Sequence, residues 1–253
     1  MYEFQEKSGI IVEIVKKIEV PRLRYFRGKI NHTLPLLLSG TDEDREVIDI
    51  PRTPMTLKQL LDERVNSTYR FDRDLLRKGY TDVAFFEIGN PDNSGEIKYA
   101  LYSQPLAKEL FNSLNPRSNI VNRKLFITPD QYHAIPEQDS LVIPADVAND
   151  LRKKGYSHPD IRRKIWVYGA EGDESLFDGS LGLVQQLIGG DFSNRMGIFP
   201  SSYSGFGSWF VGGSDGYGRS FAGDWDHLDC GGGRLVGVAP KAQAVTETLE
   251  QSL

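Results

Sequence analysis

Short apolar runs, separated by turn-forming residues, fill the first 170 positions of the chain. Runs that are rich in β-branched and other apolar residues are typical of strands. On this pattern we predict strands at 9–20, 24–30, 34–40, 47–51, 123–128 and 162–169.

Helices are predicted where apolar residues recur at helical spacing next to capping residues. Thr56 is the expected N-cap of a helix in TLKQLLDERV, and Asp72 is the expected N-cap of a short helix that ends at Gly79. Pro105 lies in the first turn of a predicted helix over 105–114, a position that needs no amide hydrogen. Further helices are predicted over 145–155, 176–190 and 240–253.

A β-hairpin is predicted within residues 82–102, where two strand-like runs flank the sequence NPDNSG. Asparagine, aspartate, glycine, proline and serine favour turns, because they adopt or stabilise the backbone conformations that turns require. The expected loop has about six residues.

Two nearly identical segments, DLLRKGYT (74–81) and DLRKKGYS (150–157), are each followed by an apolar run. Basic residues and a glycine are common at helix C-termini, because they complement the helix dipole and permit a left-handed cap. Either this general preference or a duplicated helix–strand unit explains the match.

The glycine content rises near residue 172, since 17 of the 25 glycines lie from there onward. Short aromatic runs alternate with glycine, serine and aspartate in this part of the chain. We therefore predict an α+β fold. A mixed body of β-hairpins and short helices spans 1–170, a glycine- and aromatic-rich β/loop region that packs against it spans 171–239, and a C-terminal helix or tail spans 240–253.

Length and composition narrow the class of protein. A chain of 253 residues with 39% hydrophobic residues is expected to form one large or two small globular domains. A net charge of −5 argues against a protein that coats nucleic acid non-specifically. No signal peptide or membrane contact is expected, since apolar runs are far shorter than the about 18 residues of a membrane span. The single cysteine, Cys230, cannot form an internal disulfide, and this favours a cytoplasmic or virion-interior location.

No cofactor is predicted. The glycine-rich sequence VGGSDGYGRS (211–220) lacks the Gly-Lys-Ser/Thr ending of a phosphate-binding loop. His32, His133 and His158 are scattered and have no metal-ligand spacing.

The segment 207–238 resembles the C-terminal core of C-type-lectin-like domains, the group that includes sulfatase-modifying factors and retroelement variable proteins. Gly207, Ser208 and Trp209 match the first part of the family's pattern. After a loop, Gly233, Arg234, Leu235 and Val236 approximate the second part, but without its phenylalanine. The resemblance implies a recognition surface of loops on a stable scaffold. The paired catalytic cysteines of the formylglycine-generating enzymes are missing, so the resemblance does not imply that enzyme activity.

A mixture of aromatic residues with glycine, serine and aspartate is also what recognition loops use. The leading hypothesis is therefore a non-enzymatic binding or assembly protein, with 200–234 as its recognition surface and a protein partner or a second copy as its ligand. The predicted ligand-binding residues are Trp209, Tyr217, Arg219, Trp225, Asp226, His227 and Arg234. Packing of these aromatic residues beneath the loops is the alternative interpretation.

A second hypothesis is a metal-dependent hydrolase or nuclease. His227 and Cys230 are a conceivable base and nucleophile, and neighbouring aspartates are potential cation ligands. Some metal-dependent nucleases combine an acid on one strand with Glu-x-Lys on the next. Asp82, Glu87, Glu96 and Lys98 include an acid and a Glu-x-Lys sequence of this kind, but the two halves lie too close together, and a polar hairpin tip explains these residues better.

Overall fold

The computed structural model describes residues 3–7, 10–14, 21–41, 49–68, 80–92, 95–212, 221–223, 228 and 234–240. The strands are β1 (Glu3–Lys7), β2 (Ile10–Ile14), β3 (Leu23–Arg27), β4 (Thr53–Pro54), β5 (Thr81–Gly89), β6 (Ile97–Leu101), β7 (Ile120–Val121), β8 (Lys124–Leu125), β9 (Ser140–Ile143), β10 (Gly197–Phe199), β11 (Gly205–Val211), β12 (Phe221–Gly223) and β13 (Arg234–Val238). The helices are α1 (Ile30–Ser39), α2 (Leu57–Asn66), α3 (Pro105–Asn112), α4 (Pro129–His133), α5 (Ala145–Lys153), α6 (Pro159–Gly169) and α7 (Glu174–Ile188), with a 3₁₀ turn at Glu137–Asp139.

Strand β5 organises an 11-stranded mixed sheet, and all nine of its residues are buried. β11 pairs with it in antiparallel orientation along one edge. On the other edge, the start of β5 pairs in parallel with β13, and residues 85–89 pair in antiparallel orientation with β6. Met55 joins β5 to β13 beyond their short pairing, because it accepts a hydrogen bond from the Ala84 amide and donates one to the Val236 carbonyl.

The other strands extend this centre. β3 and β4 pair with β13, β9 pairs with β6, β8 and β12 pair with β11, β10 pairs with β12, and β7 pairs with β8. β1 and β2 form a separate two-stranded sheet.

Helices cover both faces of the sheet, so apolar side chains of β5 are buried in both directions. Successive strand residues point to opposite faces. Phe85 accordingly belongs to a core that includes residues of α2, α6 and α7. Phe86 belongs to a second core with residues of α1 and α3, and its ring lies 4.9 Å from that of Phe111. This arrangement makes the protein α+β, as the sequence predicts.

Several predicted elements are confirmed. Thr56 caps α2 in a complete capping box with Gln59. The hairpin of β5 and β6, with a connection over 90–96, is present, and so are the helices predicted over 105–114, 145–155 and 176–190. The strand predicted over 123–128 is reduced to β8.

The strand predicted over 34–40 is wrong, because these residues form most of α1 despite Pro35 within the helix. Ile30, Leu34 and Leu37 are fully buried and recur at helical spacing. Gly40, at φ +70°, ends the helix with a left-handed cap. A run of consecutive leucines fits a buried strand or a buried helix equally well, and only the cap distinguishes them.

The strand predicted over 162–169 is also wrong, because it is part of α6. Arg162, Ile165 and Trp166 are fully buried, a spacing that belongs to one helix face. Pro159 and Asp160 at the start of the helix are the N-terminal signals that the prediction overlooked.

A helix therefore follows the segment 150–157, which contradicts a second helix–strand unit. Other predictions fall wholly or partly outside the described residues. These are most of the segment 74–81, the helix expected after Asp72, residues 47 and 48 of the strand predicted over 47–51, and nearly all of the tail 240–253.

The predicted boundary near residue 170 does not separate two sheets. β11 and β13 come from the glycine-rich region, and both pair with β5 from the preceding body. Within the described residues, no helix has the length and apolar character needed to cross a membrane.

Replacing Thr56 with alanine is expected to lower the free energy of unfolding by about 1 kcal/mol, because the Gln59 amide loses its side-chain acceptor. Urea unfolding measures the change. Thr56→Ser, which keeps the hydroxyl, serves as the control and is expected to stay near the parent value. Equal losses for both variants contradict the assignment of the cap.

Candidate functional site

The strands that border the glycine-rich segments all begin or finish at the same end of the main sheet. Val211, the last residue of β11, pairs with Thr81, the first residue of β5. Arg234, the first residue of β13, pairs with Arg27, the last residue of β3. β12 also begins here, because Val211 pairs with Ala222. We call this end of the sheet the loop end.

Two chain segments connect the sheet strands at the loop end. Residues 212–220 connect β11 to β12, and residues 224–233 connect β12 to β13. Five of the predicted ligand-binding residues belong to these segments and lie outside the described residues, so their roles stay predictions: Tyr217, Arg219, Trp225, Asp226 and His227. Cys230 also lies outside them, and so the hydrolase hypothesis that rests on His227 and Cys230 is untested.

Leu228 fastens the second segment to the body of the protein at its middle. Its side chain is fully buried in the core formed with α1 and α3. Its carbonyl accepts a hydrogen bond of 3.1 Å from the backbone amide of Asn31, in the first turn of α1. Burial of a leucine contributes about 1.5–3 kcal/mol, so this residue is a strong anchor for the chain around it.

Asp82 fixes the point where the second segment returns to the sheet. It is buried on β5, and its Oδ2 accepts a hydrogen bond of 2.5 Å from the backbone amide of Arg234. A carboxylate that accepts from a backbone amide makes a charge-assisted hydrogen bond, which is stronger than a neutral one. The contact sets the start of β13 and leaves the Arg234 side chain half-buried.

Aromatic contacts border the point where the first segment leaves. Phe210, near the end of β11, is buried, and its ring meets the ring of Tyr80 edge-on at 5.6 Å. Tyr80 is 56% exposed, so an aromatic face is available to solvent beside the loop end.

Trp209 lies in the core and not on a recognition surface. Its side chain has no exposed area, and its ring lies 4.7 Å from Phe85, 5.2 Å from Tyr99 and 5.9 Å from Trp166. The predicted recognition segment 200–234 therefore includes a buried strand, β11, at which a dissolved ligand has no access. The burial favours the alternative interpretation for this aromatic residue.

Glu87 and Lys98 belong to the nuclease hypothesis, for which a polar hairpin tip is the alternative explanation. Both side chains are buried, and each has its own hydrogen-bond partners, so they do not form an exposed polar tip. Glu87 pairs with Lys124 at 3.1 Å. The Lys98 ammonium donates to the backbone carbonyls of Tyr132 and Ile135 at 3.3 and 2.9 Å. These partners satisfy the buried charges locally, as buried ionic groups require.

Glu96 lies beside this second arrangement. It accepts a hydrogen bond of 2.8 Å from the Tyr132 hydroxyl. Burial, together with the neighbouring Glu96 carboxylate, raises the pKa of Tyr132 above its usual range, so the hydroxyl keeps its proton and acts as the donor. The sequence of the β5–β6 hairpin gives no sign of the contact between Glu96 and Tyr132, because Tyr132 comes from α4.

No group of three or more potential metal ligands occurs among the residues that the structure describes. Two of the histidines pair with single aspartates at the surface. His133 lies 3.4 Å from Asp92, and His158 lies 3.1 Å from Asp150.

Comparison with known proteins supports the fold but gives no close relative. No model of a protein family matches the sequence, and no curated protein matches it. The structure is similar to a solved structure from work on the accommodation of massive sequence variation in Nanoarchaeota by the C-type lectin fold. The TM-score is 0.56 at 13% sequence identity, over 89% of this chain and 100% of the other. The resemblance noted in the segment 207–238 is thus confirmed at the level of the fold, and the chain adopts a C-type-lectin-like fold.

Proposed function

We propose that this protein is a binding protein whose recognition surface is formed by residues 213–220, 224–227 and 229–233 at the loop end. The observation that carries the proposal is the set of buried contacts that hold both segments: β11 and β13 in the sheet, Leu228 in the core, and Asp82 on the Arg234 amide. Segments fixed at their ends by a rigid scaffold, the second also at Leu228 in its middle, are suited to carry recognition residues.

The composition of the two segments agrees with this role. They contain Tyr217 and Trp225, large aromatic side chains of the kind that dominate binding energy, among glycine, serine and aspartate residues that adapt to a partner. The partner that we propose is a protein or a second copy of this chain. The solved structure with the similar fold is described as accommodating massive sequence variation, and a scaffold of that kind fits a recognition role.

Site-specific photo-crosslinking tests the proposal. p-Benzoylphenylalanine is placed at the position of Tyr217 or Trp225, and the protein is irradiated in an extract of its source cells. We expect one or a few discrete crosslinked proteins. An excess of unlabelled parent protein is expected to abolish them, since it occupies the same partner.

Two controls make the result specific. The first places the crosslinker at Phe126, which is 56% exposed and follows β8 at the opposite end of the sheet. The second uses as competitor a variant in which 213–220, 224–227 and 229–233 become glycine and serine, while β12 and Leu228 stay unchanged. Equal labelling from Phe126, or equal competition by this variant, contradicts the proposal. Metal-dependent hydrolysis of a nucleic-acid or peptide substrate that is lost in His227→Ala and Cys230→Ser would favour the hydrolase hypothesis instead.

A further inference from the structure

Arg27 and Arg234 lie directly opposite each other at the loop end, where β3 and β13 pair. Their neighbours Phe26 and Leu235 belong to the core on one face of the sheet. Because strand residues alternate between faces, both arginine side chains lie on the other face. Directly opposed residues of antiparallel strands have Cβ atoms about 5 Å apart, and like charges in this position are destabilising.

Other arginines near β3 have acidic partners, and Arg24 among them lies on the opposite face, over the Phe26 ring. Asp49 pairs with Arg24 and Arg52, and Glu63 pairs with Arg22. The contact with Arg52 holds the pKa of the Asp49 carboxyl below its usual value, so this acid stays charged. These acids are therefore already engaged by other arginines.

The guanidinium groups of Arg27 and Arg234 have no ion pair among the residues that the structure describes. Asp82 meets Arg234 through the backbone amide. Arg27 is exposed, Arg234 is half-buried, and the exposed Lys29 follows two residues after Arg27. The described residues at the loop end thus include three cationic side chains, Arg27, Lys29 and Arg234, beside the buried Asp82.

We propose that Arg27 and Arg234 form a carboxylate-binding pair, which receives an acidic side chain of a protein partner at the recognition surface. The inference rests on the proposed function and names the chemistry of the partner. A guanidinium donates two parallel hydrogen bonds to one carboxylate, and two opposed guanidinium groups bring several such donors together. A bound carboxylate also relieves the repulsion between the two arginines. Nucleic acid is disfavoured as the partner, because its binding requires a more extended basic surface and the whole protein is acidic.

Fluorescence anisotropy with a labelled hexaglutamate peptide at low salt tests this pair. We expect the parent protein to bind the peptide, and Arg27→Gln and Arg234→Gln each to weaken binding about tenfold or more, as the loss of a charge-assisted hydrogen bond predicts. Arg117→Gln removes the same charge from an exposed arginine elsewhere and is expected to change affinity less than about twofold. Arg27→Gln is also expected to unfold at the same or a higher temperature than the parent, since it removes a cross-strand repulsion.

The opposite results overturn the inference: no binding of hexaglutamate by the parent protein, equal weakening by Arg117→Gln, or tighter binding of a hexathymidylate oligonucleotide. A lower unfolding temperature for Arg27→Gln also contradicts it, because the arginine would then serve the fold. The crosslinking experiment separates this inference from the proposed function. If the double variant R27Q/R234Q still competes fully for the crosslinked partner, the carboxylate pair is wrong and the proposed function stands.

Discussion

Glu87→Gln or Lys124→Met alone is expected to lower the free energy of unfolding by about 3–5 kcal/mol, the usual cost of breaking a buried ion pair. Both side chains are almost fully buried, and the Lys124 ammonium lies 3.1 Å from Glu87 Oε1. Glu87 also accepts hydrogen bonds from the Ser201 amide at 2.9 Å and the Tyr99 hydroxyl at 3.3 Å. Removing either charge leaves the other uncompensated in a medium of low polarity. Urea unfolding measures the loss.

An exposed pair provides the matched control. Lys58 lies 3.3 Å from Glu171, and the two side chains are 39% and 40% exposed. Lys58→Met is expected to cost less than about 1 kcal/mol, because solvent screens the pair. In the double variant E87Q/K124M, no charge is left unpaired, and we expect a smaller loss than the sum of the two single losses. A small effect of both single variants, or additive losses, contradicts this account of the pair.

Arg162→Met is expected to destabilise the protein by about 3 kcal/mol, because it removes the buried donor of four backbone carbonyls at once. The Arg162 side chain is fully buried and donates to the carbonyls of Ser157, Phe192, Arg195 and Met196 at 2.7–3.3 Å. Its guanidinium also lies 4.1 Å above the Phe192 ring. Burial lowers the pKa of Arg162, but the planar guanidinium remains a donor to several acceptors. Urea unfolding gives the loss, and limited proteolysis is expected to show earlier cleavage within 190–196.

The next residue along the helix is the control. Arg163 is partly exposed and pairs with Glu174 and Asp178 at the surface. Arg163→Met is expected to cost less than about 1 kcal/mol and to leave the proteolysis pattern unchanged. Arg162→Lys keeps the charge but loses the planar fork, so we expect it to resemble Arg162→Met more than the parent. Full stability of the lysine variant would show that charge alone is required.

Local patterns predicted those elements whose determinants lie within a few residues. The hairpin of β5 and β6 and the cap of α2 depend on turn and capping residues that are visible in the sequence. The segments 34–40 and 162–169 were misassigned because buried helices and buried strands both appear as apolar runs. The C-cap Gly40 and the first-turn Pro159 carried the distinguishing signal.

The candidate site was less accessible to sequence reasoning, because its contacts join distant parts of the chain. Asp82 meets the amide of Arg234, and Asn31 meets the carbonyl of Leu228. No local pattern marks a leucine in a glycine-rich segment as an anchor. Similarly, the opposition of Arg27 and Arg234 appears only once the register of β3 and β13 is known.

The place of β13 in the sheet has a consequence for synthesis of the protein. β5 is complete by residue 89, but its parallel neighbour β13 begins only at residue 234. In a chain still emerging from the ribosome, the edge of β5 that pairs with β11 is therefore unpaired until residue 211 has been added, and the part that pairs with β13 is unpaired until residue 234 has been added. Such edges pair readily with other chains, and contacts between distant residues form slowly. Chaperone demand during expression is thus expected to fall only when β13 has been made.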